Sequence, residues 1–444
     1  MLFGAWFKKN MTDFDGNKKL EFSPLTEIRA VQEELLRKHL NYLSEHSPYY
    51  RTLFKAKGID PAKVTLDSLH TLPLTDKTAL GRHNDEFLAV PRSAIVDMVL
   101  SSGTTGRPTT MMYTENDLRR LAYNEEISLE SCGLTRDDVV LLTCTMDRCF
   151  IAGLAYFSGV RSLGAAAIRN GLSGFESHLE IIQRLRPTAL VGVPTFLLKL
   201  GHFLNSRTID PRTTGVSRLI CIGEPIRDRA LQFLRIGESL EAVWGAKIYS
   251  TYASSETITS FCECMAQQGG HLHPDLAVVE IVNEKGEALP SGELGEVVVT
   301  PMAIEGMPLL RFKTGDMSFL IDGPCACGRQ SIRLGPIVGR KQQMIKFRGT
   351  TLYPNSIYAV LDSLPGISEY FVTATSDFDL SDVVKVTVAL KDSSCTAEMI
   401  TEKLQAYLRV RPEVVVASEE SVKSQVYAGN ARKLIRFVDK RKSL

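Results

Sequence analysis

A chain of 444 residues, 44% hydrophobic and 23% charged, has an ordinary globular composition and the length for two or more domains with buried cores. Fifty-two Lys and Arg nearly cancel 51 Asp and Glu, so bulk charge gives no reason to expect nucleic acid or an anionic membrane as a partner. No run reaches the roughly 18 apolar residues of a membrane-spanning helix. The apolar start MLFGAWF turns charged at once and lacks a cleavage-like site, which makes a cytoplasmic location the expectation.

The elements follow in chain order. Pro24 opens a stretch whose apolar positions Ile28, Val31, Leu35, Leu36, Leu40 and Leu43 recur at helical spacing, and Ser47-Pro48 is expected to break it. Short β-like runs then alternate with amphipathic segments: VVLLTCTM (139–146), TALVGV (188–193), RLICIG (218–223) and KIYSTY (247–252), with ESHLEIIQRL and TFLLKLGHFL between them. Such alternation predicts an α/β domain with a largely parallel sheet. Hairpin patterns follow at VVEIVNEKGEAL and ELGEVVVTPM. The chain closes with EYFVTATSD, VVKVTVALKD, the helix AEMITEKLQAYLRV and the strand VVVASEE, a small α+β unit. Nine cysteines, an odd number, argue against a disulfide framework. Cys132, Cys144, Cys149, Cys221 and Cys395 read as buried thiols.

Chemistry concentrates where strands end, the usual ligand edge of an α/β sheet. Ser101-Ser102-Gly103-Thr104-Thr105-Gly106-Arg107-Pro108 has the hydroxyls and glycines of a phosphate-holding loop but lacks the spacing and lysine of a Walker A motif. Gly223-Glu224-Pro225, Thr251–Glu256 (TYASSE), Arg311–Asp316 (RFKTGD) and Gly339–Pro354 follow in that order. Each alone is a weak signal; as an ordered set they are specific.

In that order and over nearly the whole length, these segments resemble the AMP-forming adenylating enzymes, in particular their phenylacetate–CoA ligase-like branch. ELLRKHLNYLSEHSPYYRTLFKAKGI and LHTLPLTDKTAL look like the helix and entry segment of that branch. The resemblance implies a large multi-sheet α/β adenylating domain over residues 1–339, a hinge at 340–343 and a mobile α+β lid over 344–444. It also implies the activity: ATP and a carboxylic acid form an acyl-adenylate and pyrophosphate, and the acyl group passes to CoA. Residues Ser101 to Arg107 would hold the leaving phosphates, Arg107 standing where the family usually has Lys. Gly223, Glu224 and Pro225 would flank the adenine, and Tyr252 would edge the base and acyl pocket. Glu256 would hold Mg²⁺, a hard cation suited to carboxylate and phosphate oxygens. Asp316 would accept from the ribose hydroxyls, with Arg340 in support. In ARKLIRFVDKRK, register on Arg436, Asp439 and Arg441 makes Lys433 the catalytic lysine, with Arg432 replacing the usual Gly. Gln342 takes the hinge position normally held by Asp or Lys.

Two Cys-X-Cys pairs supply further donors. CECMAQQGGHLHPD carries Cys262, Cys264, His271 and His273, and GPCACGR carries Cys325 and Cys327. A thiolate–imidazole set of four suits Zn²⁺, and with four protein ligands it would be closed and structural. The resemblance selects Cys264, His271, Cys325 and Cys327, with Cys262 and His273 in reserve. Phe150, Tyr156 and Phe157, in the segment Asp147–Phe157, with Tyr252, outline an acid pocket suited to an apolar or aryl acid. The alternatives are transfer to a carrier-protein thiol or another acceptor, and a nucleotide-binding regulatory protein without catalysis. Oligomeric state is open, a homodimer being one option.

Overall fold

The computed structural model describes residues 14–101, 109–147, 149–347, 350–376, 382–393, 395–408, 410–427 and 434–441. The phosphate-loop residues Ser102 to Arg107, and Arg432 and Lys433, lie outside the described residues. The chain divides into two compact units. The first holds 1–232, 237–314 and 318–336, and the second 233–236, 315–317 and 337–444.

Helix α1 (Leu25–His46) buries Ile28, Leu36, Leu40 and Leu43, the face its periodicity predicts. Ser47-Pro48 ends α1, as expected, but opens a second helix, α2 (Pro48–Lys57), rather than a loop. Proline is at home in a first helical turn, where its missing N–H costs nothing, and the Ser47 hydroxyl caps the Tyr50 amide. A short helix α3 (Lys77–Arg82) starts at Asp76, whose carboxylate accepts from the Ala79 amide at 2.8 Å. A hairpin of β1 (Ile95–Leu100) and β2 (Thr110–Thr114) leads to α4 (Glu115–Ser131), which begins with a Thr114/Asp117 capping box.

The main sheet then forms: β3 (Val139–Leu142), α5 (Ile151–Leu163), β4 (Ala166–Arg169), α6 (Phe175–Leu185), β5 (Ala189–Gly192), α7 (Pro194–Ser206), β6 (Arg218–Ile222), α8 (Arg235–Trp244), β7 (Lys247–Ser254) and β8 (Thr259–Cys262). Strand order is β4-β3-β5-β6-β7-β8, parallel except for the antiparallel β8. Central strands bury every residue over Ala189–Gly192, as a sheet covered on both faces requires. The strand predicted over 139–146 stops at Leu142.

Smaller strands follow: β9 (Gly270–His271), β10 (Ala277–Val282), β11 (Gly295–Pro301), β12 (Phe312–Ser318, of which 315–317 belong to the second unit), β13 (Leu320–Ile321) and β14 (Arg333–Leu334). Sheet β13-β14-β9 sets Arg333 opposite both His271 and Ile321. Arg120 of α4 is fully buried and donates to the carbonyls of Met302, Ile258 and Leu276 and to Thr259 Oγ1, so it helps satisfy carbonyls at the ends of strands.

The second unit contains β15 (Gly339–Arg340), β16 (Ile345–Phe347), β17 (Thr350–Leu352), α9 (Pro354–Asp362), β18 (Ile367–Ser376), β19 (Asp382–Leu390), α10 (Ala397–Leu408), β20 (Glu413–Val416), α11 (Glu419–Val426) and β21 (Phe437–Asp439). Its sheet runs β20-β19-β18-β21, with Val372, Val384, Val386 and Val388 packed against Ile357, Ile400 and Leu404. The strand expected over VVVASEE ends at Val416. Ser418 then caps α11 through the Ser421 amide, with Glu419 and Glu420 in the first turn, a helix start that the acidic pair signals. Cys149 is a further correction. It is exposed, at a turn with φ +52° before α5, where Leu100 N–H donates to its carbonyl.

Candidate active site and metal cluster

Two of the motifs sit at the carboxyl ends of parallel strands. After β6, Gly223 adopts φ +76°, a left-handed turn that glycine makes without strain. The Glu224 carboxylate accepts from the Thr195 amide at 3.0 Å and its hydroxyl at 2.9 Å, which caps the start of α7 and fixes the turn against β5. After β7, the Tyr113 hydroxyl donates to the Ser255 carbonyl at 2.7 Å. Tyr252 pairs across the β7–β8 ladder with Phe261, their rings 6.3 Å apart.

Glu256 is almost wholly buried and lies 2.9 Å from the Lys77 ammonium. The Ser254 hydroxyl donates to its other oxygen at 2.6 Å. Burial works to raise the Glu256 pKa, but the Lys77 charge and the Ser254 hydrogen bond outweigh it and hold the carboxyl below its ordinary value. The group is therefore an anion at neutral pH, which a divalent cation requires. Lys77 was not singled out from sequence. It stands in LPLTDKTAL directly after the capping Asp76, and 179 residues of chain separate it from its partner.

Ser101, at the edge of the phosphate loop, donates its amide to the Thr109 carbonyl at 2.9 Å. Of the proposed acid-pocket residues, Tyr156 is buried among Leu142, Cys144, Val160 and Tyr249. The Phe157 ring lies under the guanidinium groups of Arg169 and Arg161, 4.9 and 5.7 Å away. Phe150 is partly exposed at the start of α5. In the second unit Asp316 pairs with Arg340 in register, with carboxylate and guanidinium 3.5 Å apart. The Gln342 carbonyl accepts from Arg441, which also bonds the Met344 carbonyl, Asp382 and Asp439.

Cys264, His271, Cys325 and Cys327 converge with their donor atoms all within 4.8 Å of one another. Cys264 Sγ lies 3.5 Å from Cys325 Sγ, and Cys327 Sγ lies 3.4 Å from His271 Nε2. Tetrahedral zinc with bonds of about 2.0–2.3 Å needs ligand atoms roughly 3.5–3.8 Å apart, so the donors fit. The sequence separation is bridged by β9 and β14, which pair beside the loop carrying Cys325 and Cys327. His271 Nδ1 lies 3.0 Å from Ser331 Oγ, leaving Nε2 toward the thiols, as a metal-bound imidazole is held. Burial lowers the His271 pKa to about 3, so the ring is neutral and can ligate. Neither reserve donor joins the cluster. Cys262 instead meets Cys132 at 3.3 Å. His273 contacts Glu21 at 2.5 Å and Ser128 at 3.2 Å.

The glycine turn after β6 and the buried, ionised Glu256 after β7 lie at the carboxyl edge of a parallel sheet, where α/β folds commonly bind ligands. The chain matches the AMP-binding enzyme model over residues 27–304 and the AMP-binding enzyme C-terminal domain over 349–441. It belongs to the AMP-binding enzyme family. It is 33% identical to a phenylacetate–coenzyme A ligase of Thermus thermophilus over 359 residues, 80% of this chain and 79% of that one. It is 28% identical to the phenylacetate–coenzyme A ligase of Aromatoleum evansii over 433 residues, 94% and 96% of the two chains. The fold is similar to that of a 2-hydroxyisobutyryl-CoA ligase whose structure was solved in its postadenylation state, with TM-score 0.83, 21% identity, and 97% and 94% of the chains covered. No described helix is long and apolar enough to cross a membrane.

Proposed function

We infer that the protein is an AMP-forming acid–CoA ligase. A carboxylate oxygen attacks the α-phosphorus of ATP, the bond to the bridging oxygen breaks, and pyrophosphate leaves. CoA thiolate then attacks the acyl carbonyl and AMP departs. Most of the rate enhancement in such a reaction comes from positioning and charge stabilisation.

The observation that carries this reading is the buried Glu256 anion at the end of β7, paired with Lys77, within a chain of this family. Glu256 is the proposed holder of Mg²⁺, which when bound would share phosphate charge. Lys77 keeps the carboxylate ionised and oriented before nucleotide arrives. The loop from Ser101 to Arg107 is proposed to hold the leaving phosphates, and Gly223–Pro225 and Tyr252 to border the base. Asp316 and Arg340 are the ribose pair, and Lys433 is the cation that meets charge developing between carboxylate and α-phosphate. The substrate is proposed to be an aryl or arylacetic acid, in keeping with Phe150 and Phe157 and with the ligases it resembles. Cys264, His271, Cys325 and Cys327 are proposed to hold a structural Zn²⁺.

Carboxylate-dependent ATP–pyrophosphate exchange over a panel of arylacetic, benzoic and medium-chain acids tests the reading, with CoA consumption in parallel. Exchange with CoA loss, falling at least a hundredfold in Lys433→Ala, is the expected result. Exchange without CoA loss would move the acceptor to another thiol. No exchange across the panel would overturn the assignment.

A further inference from the structure

Between Cys262 and the candidate metal ligand Cys264 stands Glu263, which is buried. Its Oε1 accepts from Arg227 Nε at 2.7 Å, and its Oε2 accepts from the Ser250 amide at 2.9 Å. Arg227 lies two residues beyond Pro225 and is also buried. Its Nη1 donates to the Leu231 carbonyl at 3.1 Å. Leu231 has φ +64°, a conformation that costs a branched residue of this kind free energy unless its surroundings impose it. The Asp228 carboxylate closes the same loop through the amides of Ala230 and Gln232, both at 2.9 Å.

One carboxylate thus holds three things together: the loop leaving the Gly-Glu-Pro turn, the strand that delivers Tyr252 and Glu256, and the segment bearing Cys264. A buried Arg–Glu pair is a poor way to gain stability, because desolvating both charges offsets much of their attraction. Its well-attested use is to fix geometry. The other end of the turn is already fixed by Glu224 on Thr195, so Arg227 supplies the second of two anchors.

We propose that Arg227 is a positioning residue for nucleotide binding: anchored on Glu263, it sets the Gly223–Pro225 turn and couples its placement to the metal-bearing segment. This rests on the reading of that turn as the adenine border. In this role the pair acts through the turn and not on the reacting atoms.

The test compares wild type, Arg227→Lys and the double variant Arg227→Met/Glu263→Gln, which leaves no unpaired buried charge. ATP dissociation constants, pyrophosphate-exchange kcat and KM, melting temperature and bound zinc are measured on each. The double variant is expected to keep its zinc and its melting temperature while KM and Kd for ATP rise about 3- to 30-fold, the range of such indirect couplings, with kcat changed far less. Arg227→Lys, which cannot reach both Glu263 and Leu231 with one ammonium, is expected to fall between. Unchanged ATP affinity in the folded variants would overturn the proposal, as would a loss confined to kcat. Wild-type protein that binds no ATP would instead sink the functional reading itself.

Discussion

Two buried carboxyls of this chain have opposite fates, and the difference is their neighbours. Glu256 has Lys77 and stays ionised. In Lys77→Ala the carboxyl loses the charge that counters its burial, so its pKa rises. The acid limb of the pyrophosphate-exchange pH profile is therefore expected to move to higher pH, with activity at neutral pH down roughly tenfold or more. An unmoved acid limb would show that the pair plays no part in the step. Among the described residues no cation pairs with Glu125 of α4. One of its oxygens is buried without a partner, its Cβ side lies against Gly159 of α5, and burial raises its pKa to about 7, with Ser260 opposing. Tyr156, Cys144 and Cys262 are the titratable groups around it. Between about pH 4.5 and 7 the folded protein keeps a proton that the unfolded chain has lost. Stability therefore falls as pH rises through that window, by on the order of 3 kcal/mol. Urea unfolding at pH 5 and pH 8 should show this loss in wild type and not in Glu125→Gln. An equal loss in both would assign it to other groups.

At the scale of elements, the cluster of Cys264, His271, Cys325 and Cys327 joins the segment after β8 and β9 itself to the loop between β13 and β14. Beside it, Glu21 is held at about 2 against its own burial by His273 and Arg329, and the Gln330 amide donates to the Glu21 carbonyl at 2.7 Å. The Phe22 ring lies beneath the Arg329 guanidinium. Cys325→Ser is expected to abolish zinc binding and lower the melting temperature, with protease cleavage appearing first around residues 14–22 and 322–332. Zinc retained at wild-type stoichiometry would rule the cluster out as the ligand set. The β13-β14-β9 sheet that assembles it comprises three strands of two residues each, too short to stand without further support.

At the scale of the whole chain, the Gln342 carbonyl in the second unit accepts from Arg441 at 3.0 Å. With residues 340–343 proposed as the hinge, Gln342→Pro is expected to slow CoA-dependent thioester formation at least tenfold while exchange persists, because φ is then fixed. Equal losses in both half-reactions would count against a hinge there. Much of this was legible in the sequence. The parallel sheet and the turns at Gly223 and Tyr252 are written in local patterns, each within a few residues, whereas the choice of Cys264, His271, Cys325 and Cys327 among six candidate donors came from the family resemblance. What could not be read were partnerships across sequence: Lys77 with Glu256, Arg227 with Glu263, His273 with Glu21. Nothing near any of these residues encodes the distant carboxylate, which the fold alone brings into reach. The helix at Ser418 and the one at Pro48 were legible as well, through a capping serine with acidic neighbours and a first-turn proline, but apolar runs beside them dominate the pattern.

A metal held by the proposed ligand set would also act on the chain when it is not folded. Cys264 and Cys325 are 61 positions apart, so an ion retained by those thiolates under denaturing conditions would close a large ring. Such a ring removes on the order of 4 kcal/mol of chain entropy from the denatured ensemble and keeps it more compact. The signature lies in the slope of unfolding free energy against urea, which reports the surface exposed. That slope would be shallower with zinc than after chelation, so metal would change how far the chain opens as well as when.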